Sequence, residues 1–129
     1  FDFAAMCTAI LNGSLKDFNF EWKPGYQVAP VVVSGGYPGD YKKGLEITFN
    51  EAILNASTAK VFVAGAVSGR RGAGDMLTSG GRVLACSAYG ETFKEAWEKA
   101  YQGISSVKFD KAFYRKDIGL PGAAESGKL

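Results

Sequence analysis

Gly80-Gly81-Arg82-Val83-Leu84-Ala85-Cys86-Ser87-Ala88, followed shortly by Thr92-Phe93-Lys94-Glu95, is the stretch on which the fold turns. Val83, Leu84 and Cys86 make a short apolar run behind a glycine pair, the pattern of a buried strand. Thr92 with Glu95 three residues later writes a capping box, in which hydroxyl and carboxylate satisfy the first free amides of a helix. Phe93, Trp97, Ala100 and Ile104 then recur at helical spacing, so a long helix is predicted to run to about Ser105.

The neighbours decide whether this strand and helix belong to a parallel or an antiparallel sheet. Upstream, Gln27 to Ser34 reads as one largely buried strand, Leu45, Ile47 and Phe49 as a half-buried one, and Lys60 to Gly65 as a third. Asn50 to Ala59 is a polar connection with room for a helical turn. Ser68 to Gly81 reads as a hairpin with a flexible tip and a short strand at Met76 to Thr78. Downstream, Val107 and Phe109 suggest a last short strand. At the N-terminal end Phe3, Met6, Cys7, Ile10 and Leu11 draw the stripe of a short amphipathic helix that needs a partner, with Gly13 as its stop. Phe18, Phe20 and Trp22 alternate along an extended connector. The order helix, strands, helix, strand lacks the βα alternation of a parallel sheet, so the expected class is α+β with a mostly antiparallel sheet. Three segments are expected: residues 1–23 as helix and connector, 24–119 as the domain, and 120–129 as a frayed tail.

Composition narrows the chemistry. The 129 residues contain no His, which excludes Ser-His and Cys-His nucleophiles, an imidazole base and His-ligated zinc. Any acid or base must be Asp, Glu, Lys, Tyr or Cys. Fifteen Lys+Arg against 13 Asp+Glu leave a net charge of +2, too little for a duplex nucleic-acid footprint. No apolar run approaches the roughly 20 residues that span a bilayer. Cys7 and Cys86 sit in apolar runs and read as reduced, packed thiols, so a cytoplasmic protein is expected with neither nucleic-acid nor membrane partner. The chain opens at Phe1 inside a helical pattern, which reads as a piece of a longer protein.

Three loops carry chemical interest. Ser34-Gly35-Gly36-Tyr37-Pro38-Gly39-Asp40-Tyr41, with Lys42 and Lys43 behind it, fits either an anion cradle of backbone amides or a tight turn, and matches neither the P-loop nor GxGxxG. Arg70 and Arg71 fall at a hairpin tip, where solvated charge is ordinary. Arg82, first residue of an apolar strand behind Gly80-Gly81, is either a held guanidinium suited to phosphate or carboxylate, or half of an ion pair with Asp40 or Glu46. Arg115 and Asp117 read as a surface pair.

Taken in order, Ser34 to Gly44, then Val61-Phe62 with Ala64-Gly65, then Thr78-Ser79-Gly80-Gly81-Arg82-Val83-Leu84, then Phe113-Tyr114-Arg115-Lys116-Asp117-Ile118-Gly119 resemble the successive motifs of one family. It is the C-terminal region of glycinamide ribonucleotide synthetase, or phosphoribosylamine–glycine ligase, an ATP-grasp enzyme of purine biosynthesis, and the resemblance implies that the sheet is barrel-like. The helix from Phe3 to Leu11 resembles the last helix of the ATP-grasp portion. The resemblance implies a ligase that joins glycine to 5-phosphoribosylamine through a glycyl phosphate, with ATP and Mg²⁺ (or Mn²⁺) held by ATP-grasp domains of the parent chain. It implies no cofactor on this segment, no catalytic or metal-ligating residue in it, and no activity of the segment by itself.

What the resemblance assigns here is a wall of the substrate pocket. Related ATP-grasp enzymes bind substrate phosphate through an Arg at the start of the equivalent strand, the place of Arg82. Gly81 lies next to it, the Gly36-Tyr37-Pro38 loop would sit beside it with amides facing the cleft, and Lys43 would add charge. The family usually has His where this chain has Val63 and Thr where it has Ala66, and Arg70 to Gly74 lengthen the hairpin. The rival expectation is a stand-alone, non-catalytic small-molecule-binding or assembly module that kept the fold.

Overall fold

The computed structural model describes residues 1–69 and 75–120. Its organising element is the strand Arg82–Gly90, which pairs antiparallel on both sides. On one side run Tyr26–Val28 (β1) and Val31–Val33 (β2), with Gln27 opposite Tyr89 and Val32 opposite Leu84. On the other side runs Lys60–Val63 (β4), with Val61 opposite Cys86. The single strand expected over Gln27 to Ser34 is thus two strands in one line. Pro30 divides them: its carbonyl still accepts from the Cys86 amide at 3.2 Å, but a proline has no N–H to return the bond.

A second sheet places Ala66–Ser68 (β5), Met76–Thr78 (β6), Glu46–Phe49 (β3) and Val107–Lys108 (β8) in the spatial order β5, β6, β3, β8. Arg82–Gly90 is β7. β5 and β6 are arms of the expected hairpin, whose tip at 70–74 lies outside the described residues. The α+β class with antiparallel pairing therefore holds, and the barrel-like expectation resolves into two open sheets that do not close among the described residues.

Helices supply the cover. Glu51–Ser57 (α2) follows β3 and is capped by Asn50, whose side chain accepts from the Ile53 amide. Phe93–Ser105 (α3) packs across β7 and β1. Thr92 caps it as expected, Oγ1 accepting from the Glu95 amide at 3.2 Å, and the Glu95 carboxylate accepts from the Glu91 amide at 2.8 Å. The Glu95 carboxyl is held below the usual carboxylate range, first by its hydrogen bond from Lys99 and then by that amide. Thr92→Ala is expected to cost about 1 kcal/mol in urea unfolding, and a loss near zero would show that the cap adds nothing to this helix.

The buried face of α3 is turned from the expected stripe. Ala96, Ala100, Gly103 and Ile104 are buried, whereas Phe93 and Trp97 pack at the edge. Small residues let the helix lie close to the sheet, and the bulky aromatics flank the contact. Val32, Val83, Leu84, Cys86 and Ile104 form the main core, with Ile47 and Val107 joining from the second sheet.

Cys7 and Cys86 are both free thiols, Cys86 buried and Cys7 partly so. Burial pushes the Cys86 thiol up to about 11 from an ordinary value near 9. Between those values the unfolded chain loses this proton while the folded chain keeps it, so stability falls as pH rises from about 9 to about 11. Urea unfolding of the native chain and of Cys86→Ala across that window checks this, and equal slopes would refute it.

The N-terminal helix forms over Phe3–Leu11 (α1), capped by Asp2, with Gly13 beyond it. Its stripe is uncovered at both ends, Phe3 being 69% and Leu11 86% exposed, while Met6 and Cys7 between them are partly buried. The connector beyond it holds a 3-10 turn at Leu15–Asp17 and then runs extended without joining a sheet. Phe1, Phe18, Phe20 and Trp22 pack edge to face along it.

Candidate functional site

Arg82 is anchored by backbone on both flanks. On one flank the Ser34 amide donates to the Gly81 carbonyl at 2.8 Å, and the buried Ser34 hydroxyl donates to the Gly80 carbonyl at 3.0 Å. On the other, the Gly65 amide reaches the Arg82 and Val83 carbonyls at 2.9 and 3.0 Å, and the Gly65 carbonyl accepts from the Ser79 and Gly80 amides. The chain crosses itself so closely here that a Cβ on Gly65 would lie 2.5 Å from the Arg82 carbonyl oxygen. Likewise a Cβ on Gly81 would enter the Tyr37 ring, so glycine at 81 is what lets that ring lie against the strand.

The Arg82 side chain is exposed and, among the described residues, makes no ion pair or hydrogen bond. The ion pair with Asp40 or Glu46 allowed by the spacing does not form. Arg82 lines an open cleft of about 640 Å³ with Tyr37, Phe62, Val63, Gly65 and Gly81. A guanidinium with no ion pair among the described residues, on a fixed strand end beside apolar walls, is suited to a small anion such as a phosphate monoester or carboxylate.

The other expected site residues divide. Gly36 and Pro38 flank Tyr37 in an exposed turn with a cis Tyr37–Pro38 bond. The Tyr37 amide donates to the Ser34 carbonyl at 3.0 Å and Pro38 has none, so this loop brings the cleft the Tyr37 ring, whose own amide is already committed. Lys43 stands apart: its Nζ lies 5.9 Å from the Tyr41 ring, which lines a separate hollow with Asp40 and Lys42. Phe62 and Val63, 57% and 54% exposed, are cleft residues that sequence reading missed.

Arg115 makes the surface pair expected of it. Its guanidinium donates to both Asp117 oxygens at 2.9 and 2.6 Å, which lowers the Asp117 carboxyl and raises Arg115. Among the described residues no three or more Cys, Asp or Glu side chains gather as a metal would require. No described helix is long and apolar enough to cross a membrane.

Fold and site together define a small α+β domain with an anion-receptive cleft at the start of its central strand. The chain belongs to the family of phosphoribosylglycinamide synthetase C domains, whose family model matches residues 27–121. It is 41% identical over 117 residues to the phosphoribosylamine–glycine ligase of Caldanaerobacter subterraneus subsp. tengcongensis, covering 91% of this chain and 27% of that protein. Against the bifunctional purine biosynthetic protein of Schizosaccharomyces pombe it is 42% identical over 117 residues, 91% of this chain and 14% of that one. The crystal structure of phosphoribosylamine–glycine ligase from Thermotoga maritima superposes with a TM-score of 0.66 at 35% identity, over 87% of this chain and 27% of that one. The chain thus spans about a quarter of the length of the single-function ligases it matches.

Proposed function

We propose that this chain serves as the C-terminal domain of a phosphoribosylamine–glycine ligase and that Arg82 holds the phosphate of 5-phosphoribosylamine there. The observation that carries the reading is Arg82 itself, unpaired among the described residues and fixed at the head of β7 in the cleft. Membership of the C-domain family supports the parent enzyme. In the reaction, ATP phosphorylates the glycine carboxylate, the phosphoribosylamine nitrogen displaces that phosphate, and glycinamide ribonucleotide, ADP and phosphate leave. This chain contributes position: Arg82 and Gly81 anchor the sugar phosphate, Tyr37 walls the cleft, and Gly36 and Pro38 set the turn that carries Tyr37.

The chain has no His, and among the described residues no carboxylates or thiols gather into a metal's donor set. ATP and Mg²⁺ (or Mn²⁺) fall in this reading to the ATP-grasp domains, as does glycine activation, so the chain by itself turns nothing over. Residues 1–23 then belong with those domains, which accounts for the uncovered stripe of α1. The reading places the enzyme in the cytoplasm.

Arg82→Ala in the full-length enzyme, with each substrate varied separately, tests the proposal. A loss confined to phosphoribosylamine supports it, whereas unchanged kinetics would leave Arg82 with no part in substrate binding.

A further inference from the structure

The face of the first sheet that α3 leaves open is polar at the end where Gln27 donates to Ser87 beside Lys60 and apolar at the other. The register sets Val31 beside Ala85 and Ala85 beside Phe62, so the three share that face. Two hollows lie on it and share Val31 and Tyr37 as walls. One is the Arg82 cleft. The other, about 380 Å³, is lined mainly by Pro30, Val33, Tyr37, Phe113, Tyr114 and Ile118.

The outer wall of this second hollow is the segment from Phe113 to Ile118, and it is tied at both ends. Val33 and Phe113 exchange backbone hydrogen bonds at 2.8 and 3.0 Å. Further along, the Tyr101 hydroxyl donates to the Arg115 carbonyl at 2.7 Å and accepts from the Ile118 amide at 3.1 Å. Arg115 also lines this hollow, but Asp117 neutralises it, so of the described cations bordering the two hollows Arg82 is the one without an ion-pair partner.

A sugar phosphate makes no use of a slot walled by three aromatic rings. A ligand matched to both hollows carries an anion at one end and a flat, apolar-faced ring at the other. We propose that the two adjoining hollows together bind a nucleoside monophosphate, its phosphate on Arg82 and its base in the slot against Phe113 and Tyr114, with Tyr37 between the two. The inference rests on the reading of Arg82 as a phosphate-binding group. Because the nucleotide and 5-phosphoribosylamine would share Arg82, such a nucleotide acts as a competitive inhibitor of the sugar-phosphate site.

Amide NMR titration of the full chain with AMP, ribose 5-phosphate and inorganic phosphate tests it. AMP is expected to bind about 5- to 150-fold more tightly than ribose 5-phosphate, the worth of one base stacked on an aromatic ring. AMP should shift amides at Phe113, Tyr114 and Ile118, which ribose 5-phosphate leaves still. Phe113 is 58% exposed and bridges Val33 through its backbone, so Phe113→Ala keeps the fold. That variant should remove the AMP advantage without changing ribose 5-phosphate affinity, and Arg82→Gln should weaken both ligands. Equal affinities for AMP and ribose 5-phosphate, or an advantage that survives Phe113→Ala, would overturn the inference and leave Arg82 as a sugar-phosphate group. Absence of binding by either ligand would overturn the reading of Arg82 and the inference with it.

Discussion

Leu84→Ala is expected to lower the unfolding free energy by about 3–4 kcal/mol, the range for emptying a closed core site. Leu84 is fully buried on β7, opposite Val32 of β2 and Val63 of β4, and packs in the cluster that includes Val83, Cys86 and Ile104. Its neighbours belong to a strand held on both sides and to a capped helix, so they have little freedom to collapse into the space. In a chain of this length the loss corresponds to a fall of roughly 10–15 °C in Tm. Phe62→Ala is the control, removing a larger side chain from the same sheet at a site 57% exposed. Its expected cost is within about 0.5 kcal/mol. Urea unfolding of the two variants reads out which face of the sheet is the core, and equal losses would mean that the faces have been assigned wrongly.

Arg82→Ala in the full-length ligase is expected to cost about 2–4 kcal/mol in kcat/KM for 5-phosphoribosylamine, roughly 30-fold to 1,000-fold. The size follows from removing one partner of a charged pair while the substrate phosphate still has to give up its water. KM for ATP and for glycine should stay where it was, since neither meets this side chain in the proposed arrangement. Arg82→Lys should recover only part of the loss, because an ammonium offers a point charge in place of a fork. Arg82 has no ion-pair partner among the described residues, so thermal stability should change little in either variant. A fall in Tm that tracked the kinetic loss would assign Arg82 to the fold instead.

Periodicity located α1, α3, β3 and β7 because each writes its pattern in large apolar residues or, for α3, in an unmistakable cap. The path of the chain between sheets was hidden. Val61, Phe62 and Val63 look like a buried strand, yet α3 covers one face of that sheet and leaves Phe62 on the other, a choice made by tertiary packing. The buried edge of α3 escaped because Ala96 and Gly103 carry no apolar signal of their own, though they bring helix and sheet together. Arg82 was legible as an anchored cation because glycines precede it, but its lack of an ion pair among the described residues depends in part on where Asp40 falls, which is set by the turn at Gly36 to Gly39. Lys43 follows the loop that carries Tyr37 and still lies with Tyr41 away from the Arg82 cleft, since the direction of a side chain after a tight turn is not written in its composition.

The in-line arrangement of β1 and β2 along β7 has a consequence for biosynthesis. Their partners, from Arg82 to Gly90, are among the later parts of the domain to be translated, so Tyr26 to Val33 must leave the ribosome with both edges bare. Valine-rich strands in that condition invite the wrong neighbour. Pro30, which costs the mature sheet one hydrogen bond, also denies any passing strand a continuous row of donors. The same residue that interrupts the finished edge thus acts as a guard on the nascent one.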